Sequence, residues 1–212
     1  MKKIAIVLIL IFSFGISSEA APIYYTDFGI FDDLTTTAIV EDFESITPKD
    51  TALKSFSNNG NTYTGISSSP LAPNVWVSSP GYKNYGVPIT DTSILTATGD
   101  ENFIVDFGDP TKVLGFDTYL NEYGPATIQI FGTDGLIDTY TLNHDPTQIG
   151  FWGVISDEFI SSVQWTSPSG SLVNTGIDNI RQGEAVPEPS TILLMIIGLL
   201  GIIGANKKLT NK

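Results

Sequence analysis

The chain has 212 residues, no cysteine, one histidine, 20 glycines, 12 prolines and a formal net charge of -13. Without cysteine there is no disulfide scaffold, thiol nucleophile or Cys-ligated zinc or iron–sulfur centre, and one histidine excludes any site that needs two. Five of the ten basic residues lie at the two ends, so residues 21–185 carry five basic and 21 acidic side chains, a net -16 that repels phosphate backbones and argues against nucleic acid as a partner.

The N-terminal residues read as an export signal. Lys2 and Lys3 are followed by an unbroken apolar and small-residue stretch, Ile4 to Ile16, and by Ser18-Glu19-Ala20 as a small-x-small cleavage site. The stretch is short for a bilayer core of about 30 Å. Residues 1–20 are therefore read as a signal peptide removed by signal peptidase.

Residues 21–185 form the body, and their pattern is β. Phe103, Val105 and Phe107 alternate with Ile104 and Asp106, and Leu114, Phe116 and Thr118 continue the period. Ala126, Ile128 and Ile130 oppose Thr127, Gln129 and Phe131, while Phe159, Ser161, Val163 and Trp165 oppose Ile160, Ser162 and Gln164. Gly108-Asp109-Pro110, Gly124-Pro125, Thr133-Asp134-Gly135 and Pro168-Ser169-Gly170 read as turns between these runs. Asp134-Gly135 is the strongest hairpin signal. Short strands at this spacing predict an all-β fold, a two-sheet antiparallel sandwich. Residues 55–88 differ. Asn58-Asn59-Gly60-Asn61 and Ser67-Ser68-Ser69-Pro70 read as polar loops, with short strands near Tyr63 and Val75.

Aromatic rings in such loops suit sugars, because a ring face packs against the apolar face of a pyranose. Trp76, Tyr82 and Tyr85 are the candidate ligand-binding residues. Trp76, within Val75-Trp76-Val77, reads equally as part of a strand's core face, and Trp152 and Trp165 read as core. His144-Asp145 has the order of an oriented base, but no Gly-x-Ser-x-Gly elbow accompanies it, and no catalytic residue is expected.

The chain ends on Val186-Pro187-Glu188-Pro189-Ser190, the apolar run Ile192 to Ala205, and Lys207-Lys208. The apolar run is read as a short transmembrane segment over 191–205, with its lysine flank on the cytoplasmic side. The segment 186–212 resembles the PEP-CTERM sorting signal of Gram-negative bacteria, with lysine in place of the more usual arginine cluster. The resemblance implies an exosortase as processing partner, transient anchoring in the inner membrane, and delivery to the cell surface or an extracellular polysaccharide matrix.

Within the body, Glu41-Asp42-Phe43-Glu44, Val113-Leu114-Gly115-Phe116-Asp117, Gly150 to Ser156 and Ile177-Asp178-Asn179-Ile180-Arg181 occur in an order that resembles the jelly-roll domains of other PEP-CTERM proteins. Those domains are similar in layout to carbohydrate-binding jelly rolls. By that analogy Glu44 and Asp178, with Asp42 behind them, are the candidate ligands of a structural calcium ion, which takes hard oxygen donors. The residue-level alternative is that Asp178-Asn179 shapes the last strand and Glu44 meets Arg181. The expected function is a non-catalytic structural or glycan-binding module outside the cell. The alternative is a secreted hydrolase acting on exopolysaccharide, which needs two facing carboxylates in a cleft, one with a raised pKa.

Overall fold

The computed structural model describes residues 20–66, 74–81, 91–120, 124–167 and 175–186. The expected signal peptide up to residue 19, the turn at 168–170, the loop at 67–70, Pro187 to Ser190 and the transmembrane segment 191–205 lie outside them. Among the described residues no helix is long and apolar enough to cross a membrane.

The body is an antiparallel β-sandwich, with eleven strands among the described residues: β1 (Ile23–Tyr25), β2 (Thr35–Glu41), β3 (Ser55–Asn58), β4 (Asn61–Gly65), β5 (Val75–Val77), β6 (Leu95–Ala97), β7 (Phe103–Tyr119), β8 (Ala126–Gly132), β9 (Gly135–Leu142), β10 (Gly150–Thr166) and β11 (Gly176–Ala185). One helix, α1 (Phe28–Leu34), precedes β2. The long strands β7 and β10 pair with each other along their length and serve both layers. The first half of β7 and the second half of β10 lie between β4 and β8, with β3 and β9 outermost. The second half of β7 and the first half of β10 lie between β11 and β1, and β11 pairs in turn with β6 and β2.

The corner between layers explains two departures from the sequence pattern. Gly108-Asp109-Pro110 is exposed but does not end a strand; it is the bend within β7. Pro110 has no N–H for the ladder, so pairing lapses there while the chain remains extended. Opposite it, the β7–β10 register shifts between Ile155 and Ile160 and again before Ser162. These irregularities reverse the alternation, so Phe159 is 56% exposed and Ile160 is buried, the opposite of the expected phase.

The first half of β7 and β8 keep the expected alternation, while in the second half of β7 Val113 to Phe116 are buried on both faces. Phe103, Val105 and Phe107, and Ala126, Ile128 and Ile130, enter one core with Trp152 and Trp165. Trp165 Nε1 donates to Thr175 Oγ1 at 2.9 Å. The β8–β9 hairpin forms with Thr133 and Asp134 as its loop, since Gly132 pairs with Gly135. Asn58 to Asn61 is no open loop but a second hairpin, with Asn58 paired to Asn61. Asn59 (φ 48°) and Gly60 (φ 83°) are both left-handed, the conformation of a two-residue hairpin turn.

Candidate functional site

The outward face of the second layer, over β7, β10 and β11, is covered at one end by α1. Asp27 caps the helix by accepting from Ile30 N at 3.1 Å, and Thr35 Oγ1 donates to the Phe31 carbonyl at 2.8 Å as the chain turns into β2. The buried ring of Phe31 packs against Val113 and Phe151. Its seat requires Gly115 and Gly153, because a Cβ at Gly153 would stand 2.7 Å from that ring and one at Gly115 3.1 Å from it.

Beyond Phe31 the face opens into a cleft of about 620 Å³ between the start of α1 and the β9–β10 connection. Its floor is built on an irregularity in β11. The register slips between Asp178 and Arg181, and Asn179 adopts a left-handed φ of 49°. Arg181, the chain's only arginine, is thereby held against β7. Arg181 Nη1 donates to Asp117 Oδ1 at 2.9 Å and to the Asn179 carbonyl at 2.9 Å, and Nη2 reaches Asp117 Oδ2 at 3.4 Å. Asn179 Nδ2 donates to Asp117 Oδ2 at 2.7 Å. The guanidinium lies 4.7 Å from the centre of the Phe28 ring and 5.8 Å from that of Phe151. Phe28 itself is 41% exposed.

The chain's only histidine lines the same cleft. His144 sits at hydrogen-bond distance, 3.0 Å, from Thr118 Oγ1 through Nε2 and from the Asp145 carbonyl through Nδ1. The Asp145 carboxylate accepts instead from Thr147 N and Oγ1. The order His144-Asp145 thus forms a turn, and among the described residues no carboxylate hydrogen-bonds the ring.

A polar network runs from the cleft floor toward Glu44. Asp178, across the ladder from Asp117, is buried at 1% exposure. It accepts from Thr92 Oγ1 at 2.8 Å and from Asn179 N at 2.6 Å. Burial pushes its carboxyl up to about 7; hydrogen bonds from Thr92 and Asn179 oppose this, and the nearby Asp117 and Glu44 charges add to it. The next residue, Ser93, donates its N–H to Glu44 Oε1 at 2.7 Å. Lys49 Nζ stands 2.9 Å from Glu44 Oε2 and also bonds Ser93 Oγ. Burial alone would raise the Glu44 carboxyl, but the bonds from Ser93 and Lys49 outweigh it and hold the group below its ordinary range. Glu44 therefore meets Lys49 rather than Arg181, and Asp42 accepts from Glu44 N at 3.1 Å. Glu44 lies beyond the end of β2, and the adjacent residues Thr92 and Ser93 link it to Asp178. Among the described residues no three His, Cys, Asp or Glu side chains are grouped so as to hold a metal. The donors of Asp178 are all uncharged, which suits a cation, whereas Glu44 already has one in Lys49.

Trp76 is on β5, half-buried, with Val75 and Val77 buried on the opposite face. It is remote in sequence from the cleft and does not line it. Tyr82 and Tyr85 lie outside the described residues. The cleft residues Phe28, Asp117, Phe151 and Arg181 carry no spacing motif that sequence reading could find. Their signal is that Asp117, Phe151 and Arg181 each fall in one of the motif-like segments 113–117, 150–156 and 177–181; Phe28 falls in none.

The family model of the PEP-CTERM protein-sorting motif matches residues 185–208. The match implies export, processing by an exosortase and sorting to the cell envelope. No curated protein matches the chain. Solved structures similar to this chain include two carbohydrate-binding modules. One is a tyrosine-to-alanine mutant of a family 29 carbohydrate-binding module, 12% identical, covering 70% of this chain and 91% of that one with a TM-score of 0.41. The other is the family 11 carbohydrate-binding module of a cellulosomal cellulase of Clostridium thermocellum, 13% identical, covering 72% and 97% with a TM-score of 0.38.

Proposed function

We propose that this is an exosortase-processed protein of the cell surface or extracellular matrix of a Gram-negative bacterium, held transiently in the inner membrane by its C-terminal segment. Its body is non-catalytic and binds an uncharged glycan in the Phe28–Arg181 cleft. The observation that carries the binding reading is the Arg181–Asp117 ion pair, with its guanidinium against the half-exposed ring of Phe28. An apolar ring face beside a fixed array of donors and acceptors matches a pyranose, which is apolar on its faces and hydroxylated at its rim. The charges choose an uncharged ligand. Asp117 neutralises Arg181, Asp27 and Asp145 add negative charge at the rim, and the body as a whole carries -16.

The same geometry disfavours hydrolysis. Asp178 has the raised pKa that a general acid needs, but at 1% exposure it is sealed from the cleft. Asp117 does face the cleft, but Arg181 and Asn179 occupy its oxygens. Calcium belongs to the proposal as a structural ion. Asp178 and Glu44 would supply carboxylate oxygens, and the ion would offset the charge repulsion between them. Trp76, Tyr82 and Tyr85 are kept as a second proposed set of sugar-binding residues. A glycan array probed with the mature protein, with and without calcium, tests both readings: loss of binding in Phe28→Ala supports the cleft, and loss only in Trp76→Ala moves the site to β5.

A further inference from the structure

The sorting motif has no spacer separating it from the fold. The family match begins at residue 185, which is the last residue of β11 and pairs with Thr35 of β2. Val186, the first residue of the motif, donates its N–H to the Leu34 carbonyl at 2.9 Å. The pairing of β11 with β7 ends at Gly183 opposite Val113, whereas its pairing with β2 continues through Glu184–Thr36 and Ala185–Thr35. Glu184, Ala185 and Val186 are therefore held on one side only, by Thr36, Thr35 and Leu34.

A protease engages its substrate as an extended strand whose backbone groups on both sides of the scissile bond pair with the enzyme. On the N-terminal side of a cut within or just after Val186 to Ser190, Val186 and Glu184 already spend backbone groups on Leu34 and Thr36, while Ala185, at a non-hydrogen-bonded position opposite Thr35, turns its own away from β2. We infer that the end of β11 is a latch on processing: the exosortase acts on the chain with Glu184 to Val186 peeled from β2, and the closed strand end resists cleavage. This rests on the exosortase reading above. Peeling is local, because among the described residues no other strand pairs with these three, and strand ends open at far lower free energy than the core. Once the chain is cut, the shortened end can close again on β2.

The test uses the full chain in a host with and without an exosortase. Because the chain has no cysteine, Thr35→Cys with Ala185→Cys forms one defined pair. Antiparallel partners lie about 4.5–5.5 Å apart at Cα, within the reach of a disulfide. A control lock, Thr127→Cys with Thr141→Cys, closes the β8–β9 ladder away from the motif. The oxidised Thr35–Ala185 lock is expected to slow processing by roughly tenfold or more, since cleavage must then await sub-global opening. Reductant, or a Gly-Ser spacer inserted after Val186, should restore the rate, which also shows that the variant folds. Equal processing of the oxidised lock and the control overturns the latch while leaving the exosortase reading intact. No processing of the unaltered chain in the exosortase host overturns that reading and the latch with it.

Discussion

Arg181 and Asp117 meet across the β7–β11 ladder at 2.9 Å, with Arg181 only 11% exposed, and the guanidinium lies over the ring of Phe28. This pair is both the floor of the cleft and a tie between two strands whose register has slipped at Asn179. Removing either partner leaves a partly buried charge without its counterpart. Arg181→Ala is expected to cost about 1–3 kcal/mol of stability. Arg181→Lys should recover only part of this, because an ammonium supplies no planar face for Phe28. Urea denaturation of the single variants and of the Arg181→Ala, Asp117→Ala double gives the coupling. Additive losses would mean that the pair contributes nothing.

The seating of α1 gives a second expectation. A methyl group at Gly153 would intrude on the Phe31 ring, so Gly153→Ala should destabilise by about 1–3 kcal/mol through overpacking. Phe31→Ala alone should also be costly, as a large-to-small core change. In the Gly153→Ala background it should cost clearly less, because the clash is then gone. Equal costs in both backgrounds would place the helix elsewhere.

A third expectation concerns pH and calcium. In the unfolded chain the Asp178 carboxyl titrates near 4, and in the folded body near 7. Between those values the folded state binds a proton that the unfolded state lacks, so stability falls as pH rises through that window. The contribution is complete below the lower value and lost above the upper one. In chelator, the melting temperature should decline from pH 4 to 7, and Asp178→Asn should flatten the decline. Calcium favours the ionised form and should reverse it, adding about 2.7 kcal/mol at a hundredfold excess over its dissociation constant. Glu44→Gln or Asp178→Asn should remove most of that gain. An equal shift from sodium at matched ionic strength would reduce the effect to general screening.

The corner of β10 supplies a fourth. Because the register irregularities turn Phe159 outward and Ile160 inward, Phe159→Ala should change stability by no more than about 0.5 kcal/mol. Ile160→Ala should cost about 2–5 kcal/mol. The reverse ranking would restore the simple alternation.

That reversal marks where sequence stops being legible. Alternation read the faces of Phe103 to Phe107 and Ala126 to Phe131 because each runs within one layer. It failed at Phe159 because the corner is set by pairing with a strand some fifty residues earlier. Asn59-Gly60 did carry a local hairpin signal, and its side-chain chemistry is sufficient to find it. Helix α1 has seven residues, one of them Gly29, too few for a helical period to emerge. The sorting motif was legible because it is contiguous. The cleft was not, because Phe28, Asp117, His144 and Arg181 come from four distant segments, and only the β11 irregularity and the helix seat bring them together.

The most direct test is a glycan array with paired reducing-end assays, comparing the mature protein with Phe28→Ala and Arg181→Lys. The wild type is expected to bind uncharged glycans and release no reducing ends. Phe28→Ala should weaken binding about tenfold, near the free energy that one ring contact supplies, and Arg181→Lys should weaken it further. Failure to bind any uncharged glycan, undiminished binding by both variants, or release of reducing ends would contradict a non-catalytic glycan site in this cleft.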